Sequence, residues 1–191
     1  MKRFLFLSVG VLFLVFSSFF LSSYFFNIPF VYHYQGKQID EFNGVSVFYN
    51  SSSSSVTGIS HSTSGYEFGP KWQCVEFVRR YFFEVFDYSF PNQNGNARDF
   101  YDSSLGDGEL NSSNGLIQCS NPSRYKPGIG EILIFDGFYG HVGIISEVSD
   151  SYIDIVQQNV GLTTRSRYSL SFTNGSSQVL DNKVLGRLKL P

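Results

Sequence analysis

The sequence predicts an α+β domain in which one amphipathic helix, opening on a cysteine, packs against a mostly antiparallel β-sheet. Three observations lead there. From Cys74 to Phe86 apolar side chains recur at helical spacing, with Cys74, Val78 and Phe82 on one stripe and Phe77, Tyr81 and Val85 beside it. His141 to Val148 and Tyr152 to Val160 are β-rich runs joined by the polar turn Ser149-Asp150-Ser151, which makes a hairpin. The apolar run Val184 to Leu190 supplies a last strand to close the sheet.

At the N-terminus, Met1-Lys2-Arg3 precedes an apolar stretch that continues with few interruptions from Phe4 to about Phe26. A short basic region before a long apolar run reads as an export signal. The run is also long enough to span a bilayer, with the basic residues holding its N-terminal side in the cytoplasm. No small-x-small cleavage site stands out around Ser17-Ser18 or Ser22-Ser23, so residues 1–31 are read as either a cleaved signal peptide or a membrane anchor. The rest is expected outside the cytoplasm, in the periplasm or another extracytoplasmic space, either free or tethered through residues 4–26. Residues 32–191 suit one domain, long enough to bury a core. The net charge of −2 is low and Lys and Arg are scattered. Nothing suggests the clustered basic face of a nucleic-acid binder.

Within that domain, Val45 to Tyr49 reads as a short strand. The serine tract Ser51 to Ser55, continuing to Gly65, reads as an exposed loop in which His61 is simply solvated. Gly69 and Pro70 punctuate the entry to the helix, and Glu76 with Arg80 makes an i,i+4 pair expected on its outer face. From Asp87 to Pro122 the chain is polar and turn-rich, with one short helix expected around Ala97 to Tyr101. Cys119 falls in this loop region as an incidental thiol, and with Cys74 the only other cysteine there is no disulfide scaffold. A tight turn, Tyr125 to Gly130, leads into the strand Glu131 to Phe135. If Val148 pairs with Tyr152 in the hairpin that follows, His141 falls opposite Asn159 with Gln157 on the same face, and a slip of one residue would turn Gln157 away. Residues 161–183 read as polar turns.

The chemistry centres on Cys74. At a helix start, unpaired backbone N–H groups and the positive end of the dipole surround the sulfur, and both favour the thiolate. A helix-start cysteine, a histidine opening a strand, and amide side chains on the paired strand form the layout of a cysteine hydrolase. In it Cys74 attacks, His141 moves the proton, and Gln157 or Asn159 fixes the imidazole. The backbone N–H of Cys74 and the side chain of Gln73 are candidate oxyanion donors. Taken singly, a cysteine on an apolar helix face is packing and a histidine beside a glycine is solvated. It is the combination that points to catalysis. No clustered Cys/His spacing suggests a metal, and no cofactor is expected.

The segments Lys71-Trp72-Gln73-Cys74-Val75-Glu76-Phe77-Val78-Arg79-Arg80, Pro127-Gly128 with Gly130-Glu131-Ile132-Leu133-Ile134-Phe135, Gly140-His141-Val142-Gly143-Ile144-Ile145 and Gln157-Gln158-Asn159-Val160 resemble the CHAP family of cysteine- and histidine-dependent amidohydrolases/peptidases. Within it they look most like the amidase domain of glutathionylspermidine synthetase/amidases. The resemblance extends to Asn43 through Tyr49 and to Val184 through Arg187. It implies a papain-like α+β fold, with Cys74 as nucleophile and His141 as general base and acid. The amidase pattern has Glu-Gln-Asn where this chain has Gln157-Gln158-Asn159, so a neutral amide replaces the orienting carboxylate. Gln157 can still accept a hydrogen bond, Asn159 is a second candidate partner, and a functional but slower enzyme is expected. Arg79 is a candidate for substrate contact or for a surface salt bridge. The substrate is expected to be a peptidoglycan peptide or a glutathionylspermidine-like γ-glutamyl amide. The alternatives are a catalytically weakened cell-wall binding module and a structural membrane-tethered protein.

Overall fold

The computed structural model describes residues 34–191, so the export signal or anchor expected over residues 1–31 lies outside the described residues. The chain enters through the hairpin β1 (Gln38–Phe42) and β2 (Val45–Phe48), followed by the short pair β3 (Ile59–His61) and β4 (Glu67–Pro70). The helix α1 (Cys74–Phe86) comes next, then a 3-10 turn, Ala97–Phe100. The remaining strands are β5 (Glu109–Asn111), β6 (Leu116–Ser120), β7 (Ile132–Phe135), β8 (His141–Val148), β9 (Tyr152–Gln157), β10 (Arg165–Thr173), β11 (Ser176–Val179) and β12 (Val184–Lys189). They form one eight-stranded sheet in the order β11-β10-β9-β8-β7-β12-β6-β5, with every pairing antiparallel. One helix on antiparallel sheets is an α+β arrangement. Among the described residues no helix is long and apolar enough to cross a membrane.

The sheet has two apolar faces because side chains alternate along its central strands. Ile132 and Ile134 of β7 turn toward α1, whereas Leu133 and Phe135 join Ile145, Ile153, Ile155 and Leu170 on the opposite face. Against the first face α1 lays Phe77, Val78, Tyr81 and Phe82, each at most 1% exposed. Burial of each contributes about 2 kcal/mol, enough to hold a 13-residue helix that would be marginal alone. The helix closes at Asp87, whose left-handed backbone (φ 52) returns its N–H to the Phe82 carbonyl.

Several expectations need correction. Cys119 lies in strand β6, fully buried, not in a loop. The polar residues around it are core residues too: Gln118 is fully buried, its amide donating to Asp102 O and its carbonyl accepting from Asp102 N and Asn111 Nδ2. The serine-rich tract to Gly65 contains β3, and residues 161–183 contain β10 and β11. Glu76 and Arg80 do pair, at 2.8 Å, but Glu76 is fully buried and Arg80 lies over the rings of Phe48 and Phe77. Their side of α1 is covered by β2.

The β8–β9 hairpin is pinned by two registers. Near the turn Val148 pairs with Ile153, one residue off the expected partner, but an irregularity between Ile145 and Glu147 restores the count. Gly143 then faces Gln157, and the His141 end of the hairpin has the register that the cysteine hydrolase layout requires.

Candidate active site

The helix start is shaped by what Gln73 does. Strand β4 ends at Pro70, whose carbonyl accepts the Gln73 N–H at 3.0 Å, and Gln73 enters the helix in an extended conformation (φ −78, ψ 160) without capping it. The first-turn amides are therefore left for the sulfur of Cys74, which is 7% exposed. The backbone N–H groups of Val142 and Val75 approach that sulfur. Burial nonetheless dominates and pushes the Cys74 thiol up, with the N–H groups and the charge of Arg79 acting against it. This overturns the expectation of a depressed thiol: first-turn N–H groups and dipole are outweighed by loss of solvent around the sulfur.

Gln73 itself does not face a substrate as an oxyanion donor. Both hydrogens of its amide are engaged, with Ser53 O at 3.1 Å and Ser55 O at 3.0 Å, and its carbonyl accepts from Asn159 Nδ2 at 2.6 Å. It ties down the serine loop. Among the sequence candidates for an oxyanion donor, the backbone N–H of Cys74 remains a candidate.

His141 opens β8 directly after Gly140, whose positive φ (68) and close approach to Phe135 O and Arg98 N leave no room for a side chain. Opposite it, Gln157 Oε1 lies 2.9 Å from His141 Nε2. The amide's orientation is fixed from behind, because its Nε2 donates to Thr163 O at 3.2 Å and to Ser166 Oγ at 2.9 Å. A carbonyl can only accept, so Oε1 must face the imidazole and His141 must carry its proton on Nε2. Nδ1 is thereby left as a lone-pair acceptor. Burial pushes the imidazole down, opposed by the hydrogen bond to Gln157. The resting pair is thus a neutral thiol and a neutral imidazole.

Asn159 does not serve as a second partner for the ring. Its left-handed backbone (φ 72) turns the chain out of β9, and its side chain bonds Gln73 Oε1 and Asn50 Nδ2 instead. It does line the cleft of about 480 Å³ that contains Cys74 and His141, together with Ser53, Ser54 and Tyr139.

Arg79 is neither on the surface nor in a salt bridge. It is 1% exposed, lies over the Phe100 ring, donates to the carbonyls of Phe68 (3.4 Å) and Asn94 (3.3 Å), and its Nε has no hydrogen-bond partner. Among the described residues no carboxylate pairs with it. Its guanidinium lines a second hollow of about 310 Å³, which shares Gly95 with the cleft.

Sequence reasoning gave no place in the site to Gln158, or to Glu76 beyond its pairing with Arg80. Gln158, 1% exposed, donates to Glu76 Oε2 at 2.7 Å and to the Gln73 carbonyl at 3.1 Å. The available signal was a glutamate two residues beyond Cys74, inside the first helical turn. The described residues hold no group of three His, Cys, Asp or Glu side chains arranged for a metal ion.

Comparison with known proteins matches residues 64–159 to the family model described as the CHAP domain. That span is half of the 191-residue chain and runs from ahead of the helix through Asn159. The chain is also similar to the trypanothione synthetase of Crithidia fasciculata, 33% identical over 95 residues, covering 48% of this chain and 15% of that protein. It therefore corresponds to a small part of that relative's length.

Proposed function

The chain belongs to the CHAP-domain family, and on that premise we propose that its described domain is a papain-like cysteine hydrolase that cleaves an amide bond. Members of this family are generally cysteine- and histidine-dependent amidohydrolases or peptidases. The observation that carries the reading here is the His141–Gln157 bond at 2.9 Å, with its amide locked from behind, beside a helix-start thiol in the same cleft.

The proposed mechanism follows from the tautomer. His141 Nδ1 takes the thiol proton as Cys74 Sγ attacks the substrate carbonyl carbon. The carbonyl oxygen becomes an oxyanion facing the Cys74 N–H at the positive end of α1. Its collapse breaks the C–N bond while the imidazolium returns the proton to the departing amine, leaving a thioester. Water, deprotonated by the same nitrogen, then attacks the thioester, releasing the acid and restoring the thiol. Gln157 holds the ring and accepts from Nε2 throughout, but as a neutral amide it stabilises the imidazolium less than a carboxylate does. Arg79 supplies a buried positive charge next to the cleft, suited to a carboxylate on the substrate.

For the bond cleaved, two chemistries fit. Similarity to a trypanothione synthetase supports a glutathionylspermidine-like amide. The basic and apolar residues 2–26 support export and hence a peptidoglycan peptide as substrate. The deciding assay offers both purified peptidoglycan and glutathionylspermidine to the protein, with Cys74→Ala as control. Hydrolysis of one, lost in the control, identifies the substrate class. If neither is cut and Cys74 resists alkylation at neutral pH, the enzyme reading fails. The second reading, a weakened domain that binds cell wall, is favoured by the neutral amide of Gln157 at the orienting position, and it predicts peptidoglycan binding that survives Cys74→Ala with no hydrolysis in either form. Cell fractionation tests the proposed extracytoplasmic location, which recovery in the cytosol would refute.

A further inference from the structure

Two side chains immediately after the imidazole's partner reach back to the residue immediately before the cysteine. Gln158 donates to the Gln73 carbonyl at 3.1 Å and to Glu76 Oε2 at 2.7 Å, and its own carbonyl accepts the Phe48 N–H at 2.8 Å. Asn159 donates to Gln73 Oε1 at 2.6 Å. The Gln73 carbonyl also accepts the first helical hydrogen bond, from Phe77 N at 3.2 Å. Glu76, fully buried, completes the set by accepting Arg80 Nε at 2.8 Å on its other oxygen. Every hydrogen-bonding position of the Gln158 amide except one carbonyl lone pair is engaged, in a place with no access to water. This arrangement would be costly if it were loose, since each unsatisfied buried group is destabilising.

We propose that Gln158 and Glu76, with Asn159 as an outer clasp, are positioning residues that fasten the end of β9 to the start of α1 and so set the separation of the Cys74 sulfur from the His141 imidazole. The two halves of the site come from elements far apart in sequence, and no covalent or ladder connection joins β9 to the helix start. The Gln158 and Asn159 side chains make that connection, from directly after Gln157, the imidazole's partner, to Gln73, directly before Cys74. A displacement of the order of 1 Å at such a pair costs about a hundredfold in rate. The inference rests on Cys74 and His141 acting together, as proposed above.

The test needs no knowledge of the substrate. The second-order rate of Cys74 alkylation by iodoacetamide is measured from pH 5 to 9 on the full chain, alongside thermal unfolding, for the native protein, His141→Ala, Gln158→Leu and Asn159→Ala. In the native protein the neutral-pH rate should exceed that of His141→Ala. Gln158→Leu should lose at least tenfold at neutral pH and take on the profile of His141→Ala while still unfolding cooperatively. Asn159→Ala, at a half-buried position, should lose about threefold and decides the matter if Gln158→Leu does not fold. A native-like profile in every variant that folds would overturn the inference even if its unfolding temperature dropped. Equal rates for the native protein and His141→Ala would instead sink the functional reading on which it depends.

Discussion

Replacing Gln157 by glutamate restores a negative charge beside the imidazole, and the structure shows what this gains and costs. Gln157 Oε1 sits 2.9 Å from His141 Nε2, which places the charge centres of a carboxylate and an imidazolium about 4 Å apart. At an effective dielectric constant of about 20 that pair attracts by about 4 kcal/mol. Two terms oppose it. Gln157 is 4% exposed, so the carboxylate must be desolvated, and its second oxygen replaces an amide that now donates to Thr163 O and Ser166 Oγ. The serine hydroxyl can rotate and donate; the Thr163 carbonyl cannot, and facing it costs about 1–3 kcal/mol. The two opposing terms act whichever form the imidazole takes, so they lower stability, while the attraction acts on the imidazolium alone and raises the His141 pKa by up to about three units. In Gln157→Glu the imidazole should therefore titrate at least about one unit higher in an NMR titration, and the alkylation rate of Cys74 near pH 6 should rise about tenfold or more. The unfolding temperature should fall by roughly 4–8 °C, as about 2 kcal/mol does in a domain of this size. Hydrolytic activity should be kept or raised. A loss as deep as that of His141→Ala would refute the assignment of Gln157 as the residue that orients the ring.

The neutral resting pair sets the pH dependence. His141 is depressed below its ordinary 6.5, so just below that pH the unfolded chain binds more protons than the folded one, and stability should fall as pH falls through the window beneath 6.5. Cys74 is raised above its ordinary 9.0, so the unfolded chain releases its proton first and stability should fall again as pH rises beyond about 9; denaturant midpoints across pH 4–10 check both limbs, and a monotonic profile would contradict them. Arg79→Met removes a buried cation that has no salt-bridge partner among the described residues, so it should leave the unfolding free energy unchanged or raised by up to about 2 kcal/mol while raising KM for a carboxylate-bearing substrate at least about tenfold. An unchanged KM would remove Arg79 from substrate recognition. In Gly143→Ala the new methyl would stand 2.9 Å from Ile155 Cδ1 and 3.4 Å from Gln157 Cβ, and a rate loss of about tenfold or more is expected in kcat through displacement of Gln157. Unaltered kinetics would show that the hairpin absorbs the shift.

How much of this was legible in the sequence depended on whether a signal was local. The α1 helix and the β8–β9 hairpin announce themselves through apolar periodicity, and the pairing of His141 with Gln157 follows from register at one end of that hairpin. Strand β6 was hidden because Gln118, beside Cys119, makes the stretch look like loop, although its amide is satisfied by the backbone of Asp102. Strand β10 was hidden because residues such as Arg165 and Arg167 face outward and pair with Asp40 and Asp154. Gln73 and Asn159 were misread for a different reason. Their partners are Ser53, Ser55, Asn50 and each other, contacts that exist only once the left-handed turn at Asn159 and the serine loop are in place. The balance between burial and helix-start polarity at the sulfur likewise depends on packing, which no spacing rule reports.

The position of β12 bears on how the domain is made. The strand comes last among those described, yet it lies between β7 and β6 in the middle of the sheet, with Gly186 so close to the Cys119 carbonyl that a side chain there has no space. During synthesis everything before Val184 can at best form two separate patches of sheet, each ending in an unsatisfied edge. The domain closes only when those final residues arrive and join them, a long-range pairing that folds slowly. Under the proposed export this delay would be useful: the machinery would receive an open polypeptide, and the domain would assemble only after β12 had emerged.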